Sequence, residues 1–287
     1  MSLGLPRCES APEELVAPAG WHTLDFISDL HLQAPERATF AVWRDYMQRT
    51  QASALFILGD LFEVWVGDDA IEATGSEAAS EASGADDAVG GASFEAECCA
   101  ILRATAQRLP VYFMVGNRDF LAGAGFARAC GLTLLADPTV LVFAGQRVLL
   151  SHGDQLCVDD VDYQRFRAQA RAPAWQQRFL AQPLPARRAQ ARGMRAQSSA
   201  RKHAESGAGY ADVDDAAARA WLRTAKAQWL LHGHTHRPGE HALAPEGRRV
   251  VLSDWDLSAT PPRAEVLRLD AQGFARHDLT REAWPQG

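Results

Sequence analysis

The sequence predicts an α/β fold in which short strands deliver polar side chains to one edge of a sheet. Two observations predict it. Five short apolar runs each stop at a cluster containing Asp, Asn or His: TLDFI before SDLH, ALFIL before GD, VYFMV before GNRD, RVLL before SHGD, and WLL before HGHTHRP. Helical patterns separate the first three of them. Open α/β sheets place ligands at the carboxyl ends of their strands, where rigid backbone fixes the loop that presents the side chain.

Each element follows in order. Thr23 to Ile27 is the first strand, and a helix is expected from about Glu36 to Arg49. Ala54 to Leu58 is the second strand. The stretch IEATGSEAASEASGADDAVGGAS is rich in Ala, Gly, Ser and acids without hydrophobic periodicity, so residues 73–93 read as a mobile surface loop. Helical pattern resumes over Phe94 to Arg108, and Val111 to Val115 is the third strand. Val140 to Phe143 and Arg147 to Leu150 flank Gly145 and predict a hairpin. Trp229 to Leu231 is a further strand, with Val250 to Leu252 and Val266 to Leu269 closing the fold. Residues 160–215 interrupt the alternation and read as an inserted, mostly helical cap. Residues 1–20, rich in Pro, Ala and Glu, read as a disordered leader, leaving 21–287 as one domain.

Composition bounds the class. A chain of 287 residues, 47% hydrophobic, suits one large domain with a modest cap. No run approaches the ~18 consecutive apolar residues of a membrane span, and the N-terminus lacks the pattern of a secretory signal. The five cysteines form no C-x-x-C pair, as expected for reduced thiols in a cytoplasmic protein. The net charge of -7 is unevenly spread. Residues 68–97 carry nine acidic side chains and no basic one, whereas residues 163–202 carry nine arginines and one lysine and no acid.

Taken singly, the polar clusters are weak signals. Asp29 and His31 would share one face of an extended segment because alternate residues point the same way, but a local hydrogen bond explains such a triplet too. Gly59-Asp60 could be turn chemistry, and Gly116-Asn117-Arg118-Asp119 a capping turn that accepts backbone N–H groups. His152 could be a satisfied core histidine. His234 and His236 repeat the alternate spacing and are the strongest single element. His232 would fall on the same face, yet reads as structural.

The order D-x-H, GD, GN, H, GHxH resembles the calcineurin-like metallophosphoesterase family. That resemblance implies a sandwich of two mixed sheets flanked by helices, with a dinuclear site at one edge and the cap inserted. It implies one metal held by Asp29, His31, Asp60 and His236, and a second by Asp60, Asn117, His152 and His234, with Asp60 bridging. Carboxylate, amide and imidazole donors without thiolate suit Mn, Fe, Mg or Zn, and two divalent ions, Mn2+ by expectation, are the cofactors. Arg118 stands where many of the broad family have His. A guanidinium cannot act as a general acid but can clamp phosphate bidentately, which favours a leaving group that needs no proton. A plain surface ion pair is the alternative for Arg118.

Longer segments narrow the resemblance. FISDLHL, LFILGDLFEVWVGDD, VGNRDFL, SHGDQLCVDDVDYQRFR, MRAQS and LHGHTHRP are similar to the UDP-2,3-diacylglucosamine diphosphatase family of lipid A biosynthesis over most of residues 23–278. The implied reaction is hydrolysis of UDP-2,3-diacylglucosamine to UMP and 2,3-diacylglucosamine 1-phosphate. The implied catalytic residues are Asn117, Arg118 and His234. Implied substrate contacts are Asn117, Arg118, Asp160, Tyr163, Arg195, Ser198, Lys202 and His234, with the register poor beyond Ser198. The acidic insert and the leader depart from the family pattern.

The cap's basic residues are interleaved with Tyr163, Phe166, Trp175, Phe179 and Leu180. That mixture suits an acylated anionic substrate, or peripheral contact with anionic lipid on the cytoplasmic face of the inner membrane; a solvated basic helical pair is the alternative. No nucleic-acid recognition motif accompanies the patch, and no obligate protein partner is expected. Two other functions stay open: a phosphodiesterase of the same fold acting on a soluble nucleotide, and a non-catalytic scaffold. Scaffolds commonly lose metal ligands, and none is missing here.

Overall fold

The computed structural model describes residues 12–72, 93–204 and 211–281, with side chains described up to residue 195 in the second stretch. The predicted mobile loop therefore lies outside the described residues except for Ser93, as do residues 1–11 of the predicted leader.

In chain order the strands are β1 (Glu13–Val16), β2 (Leu24–Ile27), β3 (Ala54–Leu58), β4 (Val111–Met114), β5 (Thr133–Leu135), β6 (Thr139–Phe143), β7 (Gln146–Leu150), β8 (Trp229–His232), β9 (Gly239–Leu243), β10 (Gly247–Val251), β11 (Glu265–Asp270) and β12 (Gly273–Asp278). The helices are α1 (Arg37–Arg49), α2 (Phe94–Ala106), α3 (Ala124–Cys130), α4 (Val161–Ala170), α5 (Pro173–Leu180), α6 (Leu184–Ala204) and α7 (Asp215–Ala225). One sheet runs β12-β11-β2-β3-β4-β5 and the other β1-β6-β7-β8-β10-β9. Both mix parallel and antiparallel pairs: β2, β3, β4 and β5 are parallel neighbours, while β11 runs antiparallel to β2.

Side-chain alternation assigns the layers. Leu24 of β2 and Ala54, Phe56 and Leu58 of β3 face the other sheet, where they meet Leu141, Leu150, Leu231 and Val250. The intervening Ile27, Leu55 and Ile57 face Trp43 and Met47 of α1 and Leu102 of α2. A third cluster packs Trp221 and Leu222 of α7 onto Leu149 and Leu230 on the outer face of the second sheet. Strands buried on both faces read as continuous apolar runs, and β2 and β3 are buried at every residue. Truncating Phe56 to Ala in this core would cost about 3–5 kcal/mol.

Three features differ from expectation. Residues 12–20 are not disordered: β1 adds a parallel edge strand to β6, with Glu13 opposite Thr139. Its pattern, exposed at three of four residues, carries no core signal. Strands β5, β9 and β12 and the seven-residue α3 also went unpredicted, being short or largely solvent-facing. Ser93, expected inside the mobile loop, is the N-cap of α2: its Oγ accepts from Ala96 N at 3.1 Å and donates to Ala70 O at 3.3 Å. Within residues 160–215, the span of the expected cap, the helices are α4, α5 and α6, and α7 begins at Asp215.

Candidate metal centre

All five predicted strand ends, those of β2, β3, β4, β7 and β8, converge at one edge of the sandwich. The loops do not converge by extended alternation, however. Asp29, His31, Asp60, His234 and His236 all adopt left-handed backbone, with φ of 54°, 49°, 53°, 65° and 51°. Such residues cost about 1–3 kcal/mol each and persist only where surrounding structure over-determines them. Here it does. Asp29 N donates to Gly59 O at 3.1 Å, His31 N to Asp60 O at 3.0 Å, and Trp255 N to Asp29 O at 3.0 Å. Two glycines permit the approach of neighbouring loops. A Cβ on Gly116 would collide with the Asp60 carboxylate, and one on Gly233 with Asp29 and Ser28.

The seven predicted ligands come together. Donor atoms of Asp29, His31 and His236 lie within 4.8 Å of one another, and so do those of Asp29, Asp60 and His152. Asp29, rather than Asp60, is common to these two groupings. The His31 and His236 Nε2 atoms face each other at 3.3 Å. Asn117 Oδ1 lies 3.0 Å from His152 Nε2 and 2.8 Å from His234 Nδ1. His152 Nδ1 is 2.9 Å from Leu58 O, so that nitrogen carries the proton it donates and Nε2 points into the site. Fixing the ring through its other nitrogen is the usual outer support of a metal-binding histidine.

The electrostatics ask for positive charge. Asp29 is fully buried, and its Oδ1 accepts no hydrogen bond, His236 Nε2 being 3.4 Å away. Burial would raise its carboxyl, but the close approach and charge of His236, with the charges of His152 and His31, hold it far below the usual carboxylate range. Burial opposes a charge on His152, yet Asp60, Asp29 and Asp154 push it up to about 9. Burial and the His152 charge push His234 down to about 4, and burial lowers His31. The carboxylates around His152 thus call for positive charge at this point of the site. Facing acceptor atoms, a buried orphan oxygen and hard donors together fit divalent metal ions.

Supporting residues complete the edge. Asp119, fully buried, accepts from Gly116 N and Leu61 N at 2.7 Å each and so ties the β3 and β4 loops together. Its backbone contacts match the alternative reading of GNRD as a capping turn, but they cross between loops. Burial and the Asp60 charge raise its carboxyl to about 6. His232 is structural in its contacts: Nδ1 meets Gly233 O at 2.8 Å, and burial drives it down to about 3.

The predicted substrate contacts are placed unevenly. Arg118 N donates to Asp60 Oδ1 at 2.8 Å, and its guanidinium lies at the rim with Nε 3.9 Å from Asp60 Oδ2. Tyr163 stacks on His234 with centroids 5.9 Å apart and planes 30° apart. Asp160 caps α4, accepting from Tyr163 N at 3.0 Å. Arg195 pairs with Glu63, whose Oε2 is 3.1 Å from His31 Nδ1. Ser198 and Lys202 lie in α6, but their side chains are outside the described residues. Reading the sequence missed Glu63, the bracing role of Asp119, and the buried Asp154; the only signal for each was its position beside a ligand motif.

Comparison with known proteins is consistent with this geometry. Residues 22–238 match the family model described as calcineurin-like phosphoesterase. A UDP-2,3-diacylglucosamine hydrolase of Bordetella pertussis is 42% identical over 89% of this chain and 94% of its own length. One from Chromobacterium violaceum is 44% identical over 81% of this chain and 90% of its own. Among solved structures, a dimetal phosphatase from Danio rerio is 12% identical, with 90% of this chain and 98% of that one aligned at a TM-score of 0.43.

Proposed function

The chain belongs to the calcineurin-like phosphoesterase family, and from that premise we propose that it hydrolyses the diphosphate of UDP-2,3-diacylglucosamine. The products are UMP and 2,3-diacylglucosamine 1-phosphate. The observation that carries the reading is the gathering of seven O and N donors at one sheet edge of this chain, which is similar over most of its length to proteins named UDP-2,3-diacylglucosamine hydrolase. In this proposal Asp29, His31, Asp60 and His236 hold one divalent ion and Asp60, Asn117, His152 and His234 the other. Mn2+ is the proposed identity. When bound, such a pair lowers the pKa of water and offsets charge on the phosphoryl oxygens.

The chain's own residues do the rest. Asp60 and Asp119 tie the β3 and β4 loops together, and Arg118 beside Asn117 binds a phosphoryl oxygen through its guanidinium. Water attacks the phosphorus next to uridine, and the anhydride bond to the sugar phosphate breaks. The leaving phosphate needs no proton, so Arg118 in place of an acid is no handicap. Tyr163 over His234 forms an aromatic wall beside the site. Asp160, Arg195, Ser198 and Lys202 are the remaining proposed substrate contacts, from the cap.

We also propose peripheral contact with anionic lipid on the cytoplasmic face of the inner membrane. No described helix is long and apolar enough to cross a membrane. Not every cap aromatic is available for such contact. Phe179 is buried, and Trp175 stacks on it at 5.0 Å and packs against the core. Among the described residues of the cap, Val161, Phe166 and Leu180 are the exposed large apolar side chains, and they supply the proposed lipid contact together with the arginines.

The test is UMP release by purified protein with Mn2+ from acylated and non-acylated UDP-glucosamine. Clear preference for the acylated substrate is expected. Equal turnover of a water-soluble dinucleotide diphosphate would instead favour a soluble-nucleotide phosphodiesterase, and no turnover of any of them a scaffold. For the membrane contact, Phe166→Ser with Leu180→Ser should reduce binding to anionic vesicles at low salt. Unchanged vesicle binding would remove those residues from the proposal.

A further inference from the structure

Asp154 lies two residues beyond His152 and is fully buried, yet nothing in the proposed reaction uses it. Its Oδ2 accepts from Arg167 Nε at 2.8 Å and from the Tyr163 hydroxyl. Gln164 Nε2 donates to the backbone oxygens of Asp154 and Cys157 at 2.8 and 3.0 Å. Three positions of α4, at 163, 164 and 167, are thus held by one loop. The same helix ends near a second loop, since Arg171 Nη2 donates to Gly116 O, adjacent to Asn117, at 2.8 Å. Through the Tyr163 ring it touches a third, at His234.

The first cap helix is therefore pinned to the loops after β4, β7 and β8. Helices α5 and α6 are attached differently, by apolar packing of Phe179 and by the buried Arg187 on Asp69 and Val66 O. A buried carboxylate is expensive unless charged and hydrogen-bonded partners surround it. Asp154 meets that cost at Oδ2, through Arg167 and a tyrosine whose ring lies against a proposed ligand, while its Oδ1 accepts no hydrogen bond.

We propose that Asp154 is a positioning residue: through the Tyr163 hydroxyl it fixes the aromatic ring over His234, and through Arg167 it holds α4 as a fixed wall of the substrate groove. The role rests on the hydrolase reading only where substrate affinity is concerned. Orientation of α4 is a property of the protein without substrate.

The test joins both. In the Mn2+-loaded, substrate-free protein, hydrogen exchange at α4 amides should quicken about tenfold in Asp154→Asn, the loss of a charge-assisted bond, while α1 amides exchange as in the parent. Kinetically, Asp154→Asn and Tyr163→Phe should each raise KM for the acylated substrate about tenfold with kcat changed less than about threefold. The double variant should be no worse than the weaker-binding single, because the Asp154–Tyr163 contact that Tyr163→Phe removes is already weakened in Asp154→Asn. Calorimetric Mn2+ titration should still find two equivalents in each variant. Faster exchange throughout the chain, additive KM effects or a lost Mn2+ equivalent would overturn the positioning role. Faster α4 exchange in a protein that hydrolyses none of the substrates would leave the role standing and sink the hydrolase reading instead.

Discussion

Asp25, within β2, and Asp29, just past its end, are both fully buried, but only one has its bonding needs met. Asp25 accepts from Arg268 Nε and Nη2 at 2.7 and 3.0 Å, from Thr50 Oγ1 at 2.8 Å and from Tyr46 OH at 3.0 Å. Asp29 Oδ2 accepts from Ser28 Oγ and His234 N at 2.6 and 2.9 Å, while Oδ1 is left without a hydrogen bond. Buried polar atoms are nearly always satisfied in native proteins. A satisfied carboxylate holds the fold, whereas an orphaned one among imidazoles marks a place where something else binds.

The sharpest break of that contrast is at Asp60, which both proposed ligand sets share. Asp60→Ala should lower turnover about a thousandfold, near 4 kcal/mol of transition-state stabilisation, and exhaustive chelation should do the same to the parent. Undiminished turnover in either would refute the two-metal reading. Next comes stability, measured by urea denaturation of metal-free protein. Asp25→Ala should destabilise by about 3 kcal/mol, because it strands the Arg268 charge. Asp29→Asn should cost less than about 1 kcal/mol or stabilise, as sites kept unsatisfied for function do. Equal losses would erase the distinction between the two carboxylates.

Arg118 extends the contrast to chemistry. A site without a general acid should favour a diphosphate over an alkyl phosphomonoester by about a hundredfold in kcat/KM, the lower end of what such an acid contributes. Arg118→His should lose rate on the diphosphate. Comparable kcat/KM on the two classes would mean that another group protonates the leaving oxygen. The smallest effect is expected from deleting residues 73–92 with a short Gly-Ser closure. Stability should change by less than about 1 kcal/mol, since loop-closure entropy varies slowly with length. Ser93 must be kept, because a lost N-cap alone costs about 1 kcal/mol. Loss of soluble expression would show that the insert packs on the domain.

What was legible in the sequence follows the same physics. Strands β2, β3 and β4 were readable because LDFI, ALFIL and VYFM are buried or nearly so throughout. The proposed ligand residues were readable because each follows a strand with an apolar, buried C-terminal half. Edge strands were not: β1 and β9 alternate too weakly, with Val16 well exposed and GEHAL mostly solvent-facing. Nor were the supports. Asp119, Asp154 and Arg171 act across loops distant in sequence, and spacing carries no trace of that. The left-handed backbone at five proposed ligands was likewise hard to see, since Asp and His signal it far more weakly than glycine does. In the cap, charge predicted an anionic partner, but only packing could separate buried Phe179 from exposed Phe166.

If the strand-end cluster is a binding site completed by two divalent ions, stepwise addition of Mn2+ to chelator-stripped protein should show it, with bound metal and UMP release from the acylated substrate followed together. Two equivalents should bind, and turnover should rise with the second. Full turnover at no more than one equivalent, or two bound equivalents in Asp60→Ala at parental affinity, would contradict the two-ion site.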